Sequence, residues 1–162
     1  MNLIKILKPF VKKGNFTLSS VIETDIYCDL KEAYGDSKIL NFIADSVYNQ
    51  IDKKTTCVVA KGLGGIILAT AIGSRHNLKL TAIRDKRKDY GAQKIIEAYS
   101  PTSEDRIAVV DDVFTTGKNL REIIEILKPT KAKIIECYVV VKRGELRLDF
   151  PLSYLIDLKE LL

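Results

Sequence analysis

The stretch that most limits what this chain can fold into runs from Ile107 to Leu120, IAVVDDVFTTGKNL. Ile107 to Val110 form an apolar run of strand length, too short for a helix to claim. Asp111 and Asp112 follow where a parallel strand is expected to end, then Val113, Phe114, Thr115, Thr116, Gly117, Lys118 and Asn119. Leu120, Ile123, Ile124 and Leu127 recur at helical spacing until Pro129 stops the pattern. A strand, a loop and a helix in this order predict an α/β layer, and in open α/β sheets ligands bind beyond the carboxyl ends of the strands.

The loop carries anion-binding equipment. A helix N-terminus presents unpaired N–H groups and the positive end of the helix dipole, so phosphate binds there readily. Thr115 and Thr116 add hydroxyl donors, and Gly117 permits close backbone approach. Asp111 and Asp112 would repel phosphate; carboxylates instead accept hydrogen bonds from sugar hydroxyls and hold Mg2+ through oxygen or water. Phosphate on one side, with a sugar and a metal on the other, points to a ribose phosphate. Other phosphate loops fit poorly. The Walker pattern needs glycine where Asp112 stands and Ser or Thr where Asn119 stands. Gly62 and Gly64 begin a dinucleotide fingerprint whose third glycine position is Ile67.

VVDDVFTTGKN resembles the signature of the type I phosphoribosyltransferases, which bind 5-phosphoribosyl 1-pyrophosphate (PRPP). The resemblance extends from Phe16 to Glu145 and favours the orotate-using branch of that family. It implies a mainly parallel central sheet flanked by helices, in a single domain over residues 1–162, with a small hood drawn mainly from residues 1–34. It also implies Mg2+ as cofactor, PRPP and orotate as substrates, and a homodimer in which the 85–100 loop reaches the neighbouring subunit's site.

Segment by segment, the resemblance assigns roles. NFTLSS (15–20) followed by IYCDL resembles the segment lining the orotate side, with Val21 at the expected glycine, Ser19 where many members carry lysine, and Cys28 at an aromatic position. KGLGG, Lys61, Gly62, Leu63, Gly64 and Gly65, corresponds to the loop that receives the pyrophosphate of PRPP, and a helix over Ile66 to Ile72 is expected after it. DKRKDYGAQKIIEAYSP, long and highly charged between two core strands, resembles the mobile catalytic loop. Arg84, Lys88 and Gly91 match its spacing, whereas Asp85 replaces its first lysine and Tyr90 its usual histidine. Arg84 and Lys88 are thereby the catalytic candidates, and Tyr90 joins the PRPP-binding set. Lys142–Arg143–Gly144–Glu145 resembles a D-R-x-E segment whose arginine meets the orotate carboxylate, with Lys142 in place of the aspartate. A guanidinium can grip a carboxylate through two parallel hydrogen bonds. Thr115 and Arg143 are the implied orotate contacts.

Elsewhere the residues speak for themselves. Leu3, Ile4, Leu7, Phe10 and Val11 predict a helical face up to Gly14. Strands are expected over Asp25–Asp29, Thr55–Ala60, Lys79–Arg84, Lys133–Val141 and Ser153–Asp157. Asp36 or Ser37 can cap a helix with Ile39, Leu40, Ile43, Val47 and Ile51 on one face. His76, the only histidine, reads as a charge at a helix C-terminus. The net charge of +5 suits nucleic acid or small anions, but the basic residues are dispersed and form no recognition-helix pattern, so a small anionic metabolite is the expected partner and nucleic acid is not. No run approaches the ~18 apolar residues of a membrane span. Three scattered cysteines suggest neither a disulfide framework nor a zinc site, and the reducing cytoplasm is the expected compartment. Two alternatives stay open: a phosphoribosyltransferase for another base, and a non-catalytic PRPP-sensing regulator.

Overall fold

Short β-branched runs that are apolar at every position need cover on both faces, and the amphipathic segments between them supply it. The computed structural model describes residues 2–17, 23–86, 94–145 and 149–162. Its main sheet has six strands: β3 (Cys57–Lys61), β4 (Lys79–Ile83), β5 (Ile96–Ala98), β6 (Arg106–Phe114), β7 (Lys133–Lys142) and β8 (Leu152–Asp157). The spatial order is β5-β4-β3-β6-β7-β8, and every neighbouring pair is parallel except β4 with β5. The mainly parallel α/β sheet implied by the sequence is what the chain forms.

Alternation along the central strands sorts the core into two layers. Val58, Ala60, Ala108, Val110 and Val140 face one side, where they meet Leu68 and Ile72 of α4 (Leu63–His76) and Ile43 and Val47 of α3 (Ser37–Tyr48). Val59, Ile107, Val109 and Val139 face the other, packed under Leu120, Ile123 and Leu127 of α5 (Lys118–Leu127). Asp36 caps α3, its side chain accepting from the Lys38 amide, and Ile51 is buried just beyond the helix. The chain thus leaves β3 into a helix on one face and leaves β6 into a helix on the other. A crevice opens between two such diverging connections.

The N-terminal segment is partly a correction. The helix expected to run toward Gly14 stops early, because Pro9 cannot continue it. α1 covers Leu3–Leu7, a 3-10 turn covers Lys8–Phe10, and Val11–Thr17 is β1, paired antiparallel with β2 (Glu23–Cys28) in a separate two-stranded sheet. Leu7 and Leu30, the latter in the short helix α2 (Leu30–Ala33), are fully buried in the main core, so this small sheet is rooted there.

Three further boundaries differ from expectation. β6 does not end at Val110 but continues through Asp111 and Asp112 to Phe114, because the ten-residue β7 offers partners as far as Lys142. α4 begins at Leu63 rather than Ile66, so Gly64 and Gly65 belong to its first turn. Ile96–Ala98, expected within a long loop, returns as an edge strand on β4. His76 does end α4, where it stacks on Tyr48 and lies 2.9 Å from Asp45.

Candidate active site

Both connections at the crevice turn on glycine. Gly62 precedes α4 with φ 79° and ψ 155°, and Gly117 precedes α5 with φ 76° and ψ 13°. Side chains rarely adopt either backbone conformation. Neither helix has a side-chain cap, and neither has an acidic residue in its first turn. Two sets of first-turn N–H groups are therefore open at their positive ends, each suited to an anion.

The carboxylate pair lies where these helix starts meet. A Cβ on Gly64 would fall 1.9 Å from Asp112 Oδ2, and one on Gly65 would fall 2.9 Å from Asp111 Oδ1. Bare backbone is required at both positions. Asp111 accepts from the Asp112 amide at 2.9 Å and from Asn119 Nδ2 at 3.3 Å, while Asp112 accepts from the Val113 amide at 2.8 Å. Burial pushes the Asp111 carboxyl well above the ordinary carboxylate range, and the neighbouring Asp112 charge pushes it further. Among the described residues no ammonium or guanidinium lies within ion-pair distance of either acid.

One cavity gathers most of the candidate residues. Asp111 to Leu120 line it together with Arg143 and with Thr17, Tyr27, Cys28 and Lys31 of the N-terminal segment. Phe114 is buried beneath α5 and serves the core, although it also borders the cavity. Arg143 Nη1 donates to the Ile26 carbonyl at 2.9 Å and Nη2 donates to Thr24 Oγ1, so strand β2 fixes the guanidinium plane. Each terminal nitrogen keeps a second hydrogen for a ligand. Lys142, at the position of the missing aspartate, pairs with Asp157 at 2.7 Å. Tyr27 and Cys28 belong to the IYCDL segment that the resemblance placed along the orotate side, whereas Lys31 carried no cavity signal in the sequence. The strand-to-helix turn that brings Lys31 back onto Tyr27 has no periodicity.

The pyrophosphate-side candidates lie beside this cavity. Lys61, at the end of β3, is largely buried and its ammonium lies 3.0 Å from Asp85 and 2.5 Å from Glu122. The charge reversal at Asp85 is thus matched by a lysine at the end of the neighbouring strand. Burial lowers the Lys61 pKa, but the hydrogen bonds to Glu122 and Asp85 outweigh it and hold the proton. Arg84 turns toward β5, its Nη1 3.4 Å from Glu97. Lys88, Tyr90, Gly91, Ser19 and Val21 lie outside the described residues. The thiols of Cys28, Cys57 and Cys137 are free and buried, and burial pushes them up to about 12, 11 and 12, which leaves them unreactive.

A family model of the phosphoribosyl transferase domain matches residues 31–150. Orotate phosphoribosyltransferase of Methanosphaera stadtmanae is 34% identical over 146 residues, covering 88% of this chain and 82% of that protein. The chain belongs to the orotate phosphoribosyltransferase family. The crystal structure of the orotate phosphoribosyltransferase of Aeropyrum pernix superposes with a TM-score of 0.81 at 27% identity, covering 99% of this chain and 96% of that one. An adenine phosphoribosyltransferase from Thermoanaerobacter pseudethanolicus also shares the fold, with a TM-score of 0.74 at 12% identity over 95% of this chain and 99% of that one. The fold therefore does not choose the base.

Proposed function

We propose that this chain transfers the ribose 5-phosphate group of PRPP to orotate, giving orotidine 5′-monophosphate and pyrophosphate in pyrimidine synthesis. The observation that carries this reading is the meeting of two uncapped helix N-termini over a carboxylate pair of which Asp111 is buried. Two anion sites flanking a sugar site match PRPP, which carries a 5-phosphate and a 1-pyrophosphate on one ribose.

In this reading Thr115 to Asn119 and the start of α5 hold the 5-phosphate, while Asp111 and Asp112 bind the ribose hydroxyls. The start of α4, from Lys61 through Gly65, receives the pyrophosphate. Mg2+ fits the carboxylate pair, because Asp111 is buried beside a second carboxylate with no cation paired to it among the described residues. Among the described residues no three metal-ligating side chains converge, which suits an ion held by one or two carboxylates together with substrate oxygens and water. When bound it would supply charge neutralisation for the pyrophosphate. The bond from C1 of the ribose to pyrophosphate breaks, and C1 joins N1 of orotate, which gives up its proton. Arg84 and Lys88 would neutralise charge developing on the leaving group, the effect most able to set the rate. Arg143, held by β2, grips the orotate carboxylate, and Thr115 lies along the base. The reading includes a cytoplasmic homodimer whose 85–100 segment acts across the subunit boundary.

With PRPP and Mg2+, the purified protein is expected to consume orotate and release pyrophosphate in equal amounts. PRPP binding without consumption of any base would overturn the enzyme reading in favour of a regulator. Lys88→Ala is expected to lower kcat by roughly a hundredfold or more while the KM for orotate changes little. Near-normal turnover in steady-state kinetics would remove Lys88 from the mechanism. Asp85→Asn should act in the opposite direction. It frees Lys61 from one competing carboxylate, so the KM for PRPP should fall by about twofold to fivefold, the scale of an exposed ion pair. A rise in that KM would mean that Asp85 positions Lys61 rather than competing for it.

A further inference from the structure

The cavity contains a second cation with no assigned role. Lys31, on α2, lines the same cavity as Arg143, Thr115 and Asp112. Its ammonium donates to Tyr27 Oη at 2.9 Å and lies 5.5 Å from the centre of the Tyr27 ring. Among the described residues it has no carboxylate within ion-pair distance, unlike Lys12, Lys61, Lys118 and Lys142. One of its three hydrogens is used by Tyr27, and two remain to donate.

Both cations of the cavity are tied to one strand. Arg143 is anchored on β2 at Thr24 and Ile26, and Lys31 is anchored on the same strand at Tyr27. Asp112 borders the same space and would repel an anionic base, and its charge adds to the Tyr27 hydrogen bond in favouring the Lys31 ammonium. Burial lowers the Lys31 pKa, and the Tyr27 hydroxyl together with Asp112 more than offsets it, so the side chain is charged when substrate arrives.

We propose that Lys31 is a specificity-determining contact for the base: with Arg143 it forms a two-cation receptor that admits an anionic pyrimidine beside Asp112. Arg143 sets the orientation of the carboxylate, and Lys31 donates to an oxygen of the same base while offsetting the Asp112 charge. This rests on the orotate reading above. A neutral purine or uracil would gain little from the second cation, so Lys31 bears on selection of the base rather than on PRPP.

The test is steady-state kinetics of Lys31→Met, which keeps the length and loses the charge, beside Lys31→Arg, with both substrates varied. Lys31→Met should raise the KM for orotate by roughly tenfold or more, the scale of a hydrogen bond to a charged group, and leave the KM for PRPP within about twofold. Lys31→Arg should restore most of the loss. An orotate KM unchanged in Lys31→Met, or both KM values rising together, would overturn the proposal. If Lys31→Met does not fold, Lys31→Gln read the same way decides. The unmutated protein separates the two failures: inability to consume orotate defeats the orotate reading, whereas normal consumption with an insensitive Lys31→Met defeats only the role of Lys31.

Discussion

Gly64→Ala is expected to lower kcat/KM for PRPP by roughly a hundredfold while the protein still folds. The added methyl would fall 1.9 Å from Asp112 Oδ2 and 2.4 Å from its Cγ, distances at which something must move. A carboxylate on one short side chain yields more readily than the start of a fourteen-residue helix packed on β3 and β6. Asp112 would swing off its position, and a displacement of about 1 Å at a reacting centre can cost a hundredfold. Its departure would also change the charge that Asp111 feels, because Asp112 is one cause of the raised Asp111 pKa. Circular dichroism and thermal melting check the fold, and initial rates check the chemistry. Activity within about threefold of the parent would show that the Asp112 carboxylate is not needed where it stands.

Asp105→Ala is expected to do the reverse: to destabilise strongly and leave the turnover of folded molecules intact. Asp105 is 2% exposed and accepts from Thr56 Oγ1, Lys79 Nζ, Tyr99 Oη and the Thr102 amide, all between 2.8 and 2.9 Å. These donors come from the start of β3, the start of β4 and the turn before β6, at the opposite ends of the strands from the cavity. Removing this buried acceptor breaks four hydrogen bonds at once, one of them to a charged ammonium, and should cost about 3 kcal/mol. For a chain of this size that lowers the melting temperature by about 6 to 12 °C. Burial alone would raise the Asp105 pKa, but the Thr102 amide, Lys79, Tyr99 and Thr56 more than offset it and hold the carboxyl well below its ordinary range. The folded protein consequently binds fewer protons here than the unfolded chain does. The stabilisation is complete above the ordinary aspartate range and disappears as pH falls through the lower folded value. Acid unfolding of the parent should therefore show a component that Asp105→Ala lacks. A variant melting within 2 °C of the parent would contradict this account of the network.

Sequence reasoning was most reliable where one periodicity governed a segment. The α3 face and the α5 face survived because each is a single amphipathic stripe with a clear stop, Pro129 in the second case. Failures came where an element's end depends on a distant partner. β6 runs four residues beyond Val110 because β7 is there to pair with it, and nothing local in Asp111 or Asp112 favours a strand. α4 absorbs Gly64 and Gly65 because close packing against the two aspartates demands glycine, although glycine is a poor helix former. β5 exists only as an edge strand on β4.

The candidate site divides along the same line. The two glycine turns from strand into helix were legible because glycine, hydroxyl and carboxylate positions are contiguous in the chain. The pairing of Lys61 with Asp85 was not, since the two residues lie on different strand ends and each alone reads only as a departure or an ordinary charge. Lys31 was hidden for a similar reason. It is one lysine in a basic chain until α2 folds it back onto Tyr27 and beside the carboxylate pair.

The measurement that tests the central claim most directly is a competition. Limiting PRPP with Mg2+ is offered to the protein in the presence of equal concentrations of orotate, uracil, adenine, hypoxanthine and xanthine, and the nucleotide products are identified by mass. The account predicts orotidine 5′-monophosphate as the one product, because Arg143 rewards a carboxylate that the other four bases lack. Formation of a purine nucleotide would keep the PRPP site and contradict the assignment of the base.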